Sequence, residues 1–322
     1  IDTVDVIDEA QWTHGPFSGE IADGKIYGRG ASDMKGSDCA MVMAAGRFAA
    51  QTKKDFAGTI CVSGTVHEEC FEGVAPREVT KRVKPDFVIV GEATSTSIKI
   101  GQRGRAEVVV ETEGVSCHSS NPEKGVNAVY GMMAVIEEIR KIVPNEHPLL
   151  GRGILELTDI VSAPYPGASV VPAACRATFD RRTLVGEDEA VILGQVEEAI
   201  ARAQEKHPEI KARCYLATGT EACWTGDTIS AKRYFPAWVV DESSELVVKA
   251  RRGLEAAGID APLSHFSFCT NGSHFCGEAG IPTIGYGPSL ESLAHVRDEY
   301  IEISQLTKAC RGFASILAEL TR

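Results

Sequence analysis

The sequence predicts an α/β fold, in which a mostly parallel sheet flanked by helices is interrupted by an inserted ferredoxin-like α+β domain. Residues 1–103 alternate apolar runs of strand type with helical runs, which is typical of a parallel sheet covered by helices. Residues 104–220 follow instead the order β-α-β-β-α-β of a ferredoxin-like sandwich. A chain of 322 residues, 43% of them hydrophobic, is long enough to bury two cores. We therefore expect one domain from residues 1–103 and 221–322, with residues 104–220 inserted as a second.

The first part of the outer domain is predicted to contain three strands and a helix. The strands are expected at residues 25–27, 59–66 and 87–90, where β-branched side chains are frequent. Residues 40–50 are small, apolar and helix-favouring, which predicts the helix. Residues 1–6 alternate as though a strand had begun before them, so we expect further sequence ahead of this chain.

The inserted domain and the return to the outer domain follow from the spacing of apolar residues. Helices are predicted at residues 127–142 and 188–204. Strands are predicted at residues 106–112, 154–160, 176–179 and 212–216. Residues 221–240 contain Trp224, Gly226 and Pro236 and are interpreted as a return linker. A helix at residues 243–257, a strand at 281–285 and a C-terminal helix then complete the chain.

Composition excludes several classes of protein. The formal net charge of −12, without a block of Lys and Arg, argues against a nucleic-acid partner. The 10 cysteines are irregularly spaced and include no C-x-x-C pair, which favours reduced thiols in a cytoplasmic protein. No apolar run reaches membrane-spanning length, and the acidic N-terminus is unlike a signal peptide. We therefore expect a cytoplasmic protein with no membrane partner.

Acidic side chains follow the predicted strands of the outer domain. Asp33 lies in a glycine-bracketed turn, Glu68 and Glu69 follow residues 59–66, and Glu92 follows residues 87–90. The carboxyl ends of parallel strands meet at one edge of a sheet, so we expect these carboxylates, and His295 from a late loop, to converge. Packed carboxylates repel one another unless cations neutralise them. One imidazole with several carboxylates suits zinc, cobalt or manganese better than calcium.

Taken singly, these residues have simpler interpretations. Asp33 is equally compatible with a helix N-cap, Glu92 with a turn residue and His295 with a surface loop. Together they predict two divalent ions about 3.5–4 Å apart, bridged by a carboxylate and a water, as in enzymes that hydrolyse amides. Neighbouring side chains diverge at a strand end, so one of Glu68 and Glu69 can bind metal while the other handles a proton.

These motifs resemble the metallopeptidase family that includes acetylornithine deacetylase, succinyl-diaminopimelate desuccinylase, carboxypeptidase G and aminoacylase-1. The resemblance lies in residues 28–36 (GRGASDMKG), the pair Glu68-Glu69, residues 91–94 and residues 287–299. Further matches to the lid domain of that family lie in residues 101–105, 114–118, 169–172 and 180–182. Residues 224–226 and 234–236 are most similar to the branch of selenium-metabolism-linked hydrolases.

The resemblance implies a role for each residue of the acidic group. Asp33 would bridge two divalent metal ions, with zinc as the expected metal, next to a cis peptide bond with Met34. Glu92 would complete one metal site, and Glu69 with His295 the other. Glu68 would be the general base, accepting a proton from the attacking water and delivering it to the leaving amine.

The resemblance also implies roles for the inserted domain. His118 would stabilise the oxyanion and Arg182 would hold a carboxylate of the substrate, with the adjacent Arg181 as an alternative. In this family the histidine often comes from the other subunit, so a homodimer formed through the lid domain is expected.

The chain departs from the family pattern at three places. The first metal ligand of the family is a His two residues before an Asp that orients it; the Asp corresponds to Asp2, and the His would lie ahead of this chain. One metal site would then be incomplete and the chain inactive as given. Ser169 stands where many members have Asn, and Asn271 where many have Asp. The resemblance therefore does not decide whether these two residues contact substrate.

The sequence thus predicts a metal-dependent amidohydrolase acting on a small, carboxylate-bearing N-acyl amino acid or dipeptide-like substrate. Whether it is a deacylase or a peptidase depends on pocket shape, which the sequence leaves open. The alternative is a catalytically silent, truncated relative that acts as a binding or oligomerisation protein.

Overall fold

The structure, a computed structural model, describes residues 2–322. The chain folds as two compact units. The first unit runs up to Gln102 and resumes at Trp238, and the second unit is Arg103–Ala237.

Within the described residues, regular elements occupy most of both units. The helices are α1 Gly36–Gln51, α2 Pro76–Val83, α3 Ala128–Ile139, α4 Glu189–Lys206, α5 Glu245–Ala256 and α6 Ile303–Leu320. The strands are β1 Ile21–Ala22, β2 Lys25–Tyr27, β3 Val88–Val90, β4 Ile98–Gln102, β5 Gly104–Glu113, β6 Glu146–His147, β7 Gly151–Arg152, β8 Ile154–Ala163, β9 Ala174–Thr183, β10 Lys211–Leu216, β11 Thr218–Ala222, β12 Thr228–Lys232, β13 Tyr234–Phe235, β14 Trp238–Val239, β15 Leu263–Phe266, β16 Thr283–Gly285 and β17 Tyr300–Glu302.

The central sheet of the first unit is mixed. Its strand order is β14-β4-β16-β3, with β15 also beside β4. β15 pairs with β4, and β16 with β3, in parallel, whereas β14 and β16 each pair with β4 antiparallel. The predicted mostly parallel arrangement is therefore present only in part, because β14 and β16 both run opposite to β4. α6 packs against both α1 and α5, burying Phe313 and Ile316.

The sheet of the second unit has the strand order β10-β5-β9-β8, and all of these pairings are antiparallel. Val108, Met132, Phe179 and Ile192 belong to the core that joins this sheet to α3 and α4. Each helix begins where a polar side chain accepts a free backbone N–H: Asn127 caps α3 and Asp188 caps α4.

Residues 59–66 are not a strand, so that prediction is wrong. Their β-branched side chains favour extended backbone, but a strand needs a hydrogen-bonded neighbour. Among residues 2–322 no strand lies beside them, and Val62 and Val66 are each 39% exposed. Residues 2–6 likewise form no strand, and the first residue of that predicted strand lies outside the described residues.

Residues 221–237 belong to the second unit and are not a return linker to the first, as the sequence suggested. β11 and β12 form an antiparallel hairpin, and β13 adds to β5. The hairpin turn contains Gly226 in the left-handed region, at φ 90°. Short, exposed strands around such a turn show no apolar periodicity, so the sequence pattern resembled a linker.

In the part of the chain that the structure describes, we find no helix with both the length and the apolarity needed to cross a membrane.

Candidate metal centre

Asp33 lies in an irregular helical turn, Ala31–Lys35, between β2 and α1. Gly30, just before the turn, has φ 77°, which glycine adopts without the penalty that a Cβ imposes. The Asp33–Met34 peptide bond is cis, as predicted. Lys35 occupies the N-cap position of α1, so the alternative interpretation of Asp33 as a helix N-cap is wrong.

Glu92 follows β3 and is 4% exposed. The chain is closely packed here, since a Cβ at Gly91 would lie 2.7 Å from Cε of Met34. Thr94 joins the ends of β3 and β16, because its hydroxyl donates to the carbonyl of Gly287 and accepts the N–H of the same residue, both at 3.0 Å. The parallel pairing of β3 with β16 therefore holds Glu92 in a fixed position.

His295 joins two of the predicted carboxylates. Its Nε2 lies 3.2 Å from Oδ2 of Asp33 and 3.1 Å from Oε2 of Glu69. One potential ligand atom from each of the three residues lies within 4.8 Å of those of the other two. We refer to Asp33, Glu69 and His295 as the metal triad.

The segment that carries Glu68 and Glu69 is held by side chains. Asp2 accepts the backbone N–H of Glu69 at 3.2 Å. Asn271 reaches both flanks of the pair, since its Oδ1 accepts the N–H of Gly73 at 2.9 Å and its Nδ2 donates to Oγ1 of Thr65 at 3.0 Å. The irregular backbone there is therefore fixed without a strand ladder.

The electrostatics of the group favour a bound cation. Burial raises the pKa of Glu92, and the charges of Asp33 and Glu69 raise it further. Burial likewise raises the pKa of Glu68, followed by the charges of Glu92, Glu72 and Glu69 among others. The hydrogen bonds that His295 donates to Asp33 and then to Glu69 raise its pKa to about 10, although burial opposes them. The positive charge near these carboxylates is thus too small to balance their negative charge. Carboxylates and one imidazole are ligands that fit a divalent transition-metal ion.

Glu92 is outside the metal triad, but the charge of Asp33 is among the causes that raise its pKa. Asp33 therefore lies near Glu92 as well as beside His295, and it has a neighbour in each of the two predicted metal sites. Glu68 also lies near this group, because the charges of Glu92, Glu69 and Asp33 all raise its pKa.

The structure places His118 and Arg182 in the second unit. His118 is exposed, and its Nδ1 accepts the N–H of Ser120 at 3.1 Å. Arg182 is half-buried and donates through Nε to Asp180 at 2.7 Å. Arg181, the alternative, is 1% exposed and paired with Glu187 at 2.9 Å, which suits a structural role.

Comparison with known proteins decides the family. The model of the peptidase family M20/M25/M40 matches residues 1–319. The chain belongs to this family.

Relatives in the M20 family cover most of the chain. The protein YgeY of Escherichia coli K12, described as uncharacterized, is 32% identical over 98% of this chain and 78% of its own length. A succinyl-diaminopimelate desuccinylase of Cereibacter sphaeroides is 29% identical over 95% of this chain and 77% of its own length.

Solved structures of M20 peptidases share the fold. The aminopeptidase PepT of Bacillus cereus superposes with a TM-score of 0.70 at 18% identity, covering 94% of this chain and 76% of its own. The YxeP protein of Bacillus subtilis, described as a dinuclear metal-binding peptidase of the M20 family, has a TM-score of 0.66 at 11% identity, covering 91% and 74%. The chain thus has the M20 peptidase fold, with mixed α/β sheets and helices.

Two residues at the site carry contacts that sequence reasoning did not assign. Asn271 was considered only for substrate contacts, but its amide holds the chain on both sides of Glu68 and Glu69. Glu72 is buried and raises the pKa of Glu68. Its position four residues after Glu68 was the available signal, but acidic residues are too common for that spacing to stand out.

Proposed function

We propose that the chain is a metal-dependent amide hydrolase that cleaves an N-acyl amino acid or a dipeptide-like substrate. The observation that supports this most strongly is the metal triad, whose ligand atoms lie within 4.8 Å of one another although they come from distant parts of the sequence. Membership of the M20 peptidase family supports hydrolysis of an amide bond, and the substrate class is our proposal.

Asp33, Glu69 and His295 would hold one divalent ion, and Asp33 with Glu92 would contribute to a second site. Zinc is the proposed metal, with cobalt and manganese as alternatives. When bound, such ions polarise an amide carbonyl and make a water molecule more acidic.

Glu68 is the proposed general base. It is adjacent to Glu69 in the chain but is not part of the metal triad, so its carboxylate is available for proton transfer. It would take the proton of the attacking water and donate it to the nitrogen of the leaving amine, so the base becomes the acid in the second half of the reaction. Asp2 accepts the N–H of Glu69. Its proposed role is the one that the resemblance implies, which is to orient a histidine ligand two residues before it.

The second unit is proposed as the lid and dimerisation domain. His118 would stabilise the oxyanion and Arg182 would bind the substrate carboxylate. For Arg182, this requires exchange of its hydrogen bond with Asp180 for one with substrate. Tyr130 and Met133 are 70% and 53% exposed on α3, and they support a homodimer formed through this unit. All ten cysteines are free, which supports the proposed cytoplasmic location.

The proposal is tested by metal analysis and a substrate panel. The protein, made from a complete gene, is purified without metal, loaded with Zn²⁺ or Co²⁺, and assayed against N-acetyl amino acids, N-succinyl amino acids and dipeptides. Hydrolysis that is lost with chelator and restored by metal supports the proposal, and Glu68→Ala serves as the matched inactive control. Metal binding without turnover of any substrate would favour the silent binding protein instead.

A further inference from the structure

Glu299 is a fully buried carboxylate, 0% exposed, that the proposed reaction does not use. It follows His295 closely in the chain. Its side chain accepts hydrogen bonds from the loop that leads to Asp33. The donors are Nη1 of Arg29 at 2.7 Å and the backbone N–H groups of Gly30 at 3.0 Å, Ser32 at 2.8 Å and Asp33 at 3.0 Å.

Both oxygens of this carboxylate are fully engaged. Oε2 accepts from Arg29 and Gly30, and Oε1 accepts from Ser32 and Asp33. The backbone N–H of Asp33, a member of the metal triad, is thus hydrogen-bonded directly to the Glu299 side chain.

The same cluster reaches the loop of His295. Nη1 of Arg29, which binds Glu299, also donates to the carbonyl oxygen of Val296 at 3.2 Å. Val296 is the residue after His295. One buried ion pair therefore contacts the backbone on both ligand-bearing loops.

The sheet explains why this carboxylate is needed. β17 pairs antiparallel with β2, with Tyr300 opposite Tyr27, and the N–H of Gly28 donates to the carbonyl of Glu299 at 2.9 Å. The backbone ladder ends there, before the chain reaches Asp33. The Glu299 side chain continues the connection over the residues beyond the end of the strand.

We propose that Glu299 is a positioning residue, whose buried carboxylate fixes the Asp33 loop against the His295 loop and so sets the separation of their ligand atoms. The effect of Glu299 on metal binding rests on the proposed function. The fixing of the two loops by Glu299 is a property of the metal-free chain. Partners of metal ligands that act in this way affect metal affinity by about 10- to 100-fold when they are changed.

The test compares Glu299→Gln with Glu302→Gln. In Glu299→Gln, an amide nitrogen replaces one oxygen and cannot accept the two hydrogen bonds made there, and the charge opposite Arg29 is lost. Glu302 is the matched control, because it is an exposed glutamate at the end of β17, the strand that begins directly after Glu299, and its side chain accepts a hydrogen bond from Ser304.

Three quantities are measured on the full chain. They are the Co²⁺ affinity by titration, the visible absorption spectrum at saturating Co²⁺, and hydrogen–deuterium exchange of residues 28–33 and 294–298 without metal. For Glu299→Gln we expect Co²⁺ affinity to fall by about 10- to 100-fold, the spectrum to change and both loops to exchange faster. Glu302→Gln should behave as the unaltered chain.

A Glu299→Gln chain with unchanged affinity, spectrum and exchange would overturn the proposal. So would a chain that only melts at a lower temperature, because that outcome indicates general stability and not positioning. Should this variant fail to fold, Glu299→Asp keeps the charge but is one methylene shorter. It should bind Co²⁺ more weakly, and unaltered affinity would again overturn the proposal.

Failure of the unaltered chain to bind Co²⁺ would count against the proposed function. The exchange comparison in the metal-free chain would still decide whether Glu299 holds the two loops, so the two failures are distinguishable.

Discussion

Replacing Asn271 with alanine should release the segment that carries Glu68 and Glu69. The Asn271 amide makes two hydrogen bonds, to the N–H of Gly73 at 2.9 Å and to Oγ1 of Thr65 at 3.0 Å. These partners lie on either side of the two glutamates. No strand ladder holds this part of the chain, so its order depends on such contacts.

The size of the effect follows from the two hydrogen bonds. Each contributes about 0.5–1.5 kcal/mol, so Asn271→Ala should destabilise the closed segment by about 1–3 kcal/mol. That difference corresponds to opening about 5 to 150 times more often, since about 1.4 kcal/mol is a factor of ten. Misplacing a proton-transfer group by about 1 Å can lower the rate by about a hundredfold, so kcat/KM should fall as well.

Hydrogen–deuterium exchange of residues 65–73 measures the opening directly. Asn271→Asp is the matched control, because a carboxylate still accepts the Gly73 N–H and the hydroxyl of Thr65 can turn to donate to it. We expect Asn271→Asp to exchange nearly as slowly as the unaltered chain. Equal exchange in Asn271→Ala and the unaltered chain, or equally fast exchange in both variants, would refute this reasoning.

Three further predictions follow from the site and from a nearby ion pair. Glu68→Ala should lose about 10²- to 10⁴-fold in kcat but keep its Zn²⁺ affinity, and a large loss of affinity would make Glu68 a ligand and not the base. Removing metal with chelator should abolish hydrolysis. Restoring Zn²⁺ to about 100 times its Kd should stabilise the fold by about 2.7 kcal/mol, which a thermal melt measures. An unchanged melting temperature would contradict metal binding. Burial would raise the pKa of Glu278, but hydrogen bonds from His274 and Arg77 outweigh burial and lower it to about 2. The ionised group therefore stabilises the fold above its ordinary pKa of 4.5, and this contribution is lost as pH falls towards 2. Glu278→Gln should cost about 1–2 kcal/mol at pH 7 in a urea titration, allowing for partial exposure, and the difference should shrink at pH 3; a constant difference would contradict the assigned pKa.

Local signals predicted the helices of the second unit well. α3 begins after Asn127 and α4 after Asp188, and both side chains accept backbone N–H groups two or three residues on. Capping and apolar periodicity act within a few residues, so a single sequence contains them.

Features that depend on distant partners were harder to predict. Residues 59–66 have strand-like composition but no neighbouring strand, and residues 221–237 form a hairpin and an added strand that the sequence pattern did not indicate. Strand pairing is decided by the rest of the fold, which is why β propensity depends so strongly on context.

The same division applies to the site. Residue type and the expected convergence at one sheet edge led to Asp33, Glu69 and His295, which the structure brings together, although the strand predicted before Glu69 does not form. The contacts of Asn271 and Glu299 join residues about 200 and 270 positions away in the chain, and no local pattern encodes them. His118 and Arg182 were identified from motif resemblance, and their roles stay predictions.

The most direct test of the central claim is anomalous X-ray diffraction at the zinc edge, from crystals of this chain grown with Zn²⁺. A metal peak about 2.0–2.2 Å from ligand atoms of Asp33, Glu69 and His295 is the predicted result. A zinc peak bound elsewhere, with none beside these three residues, would contradict the account.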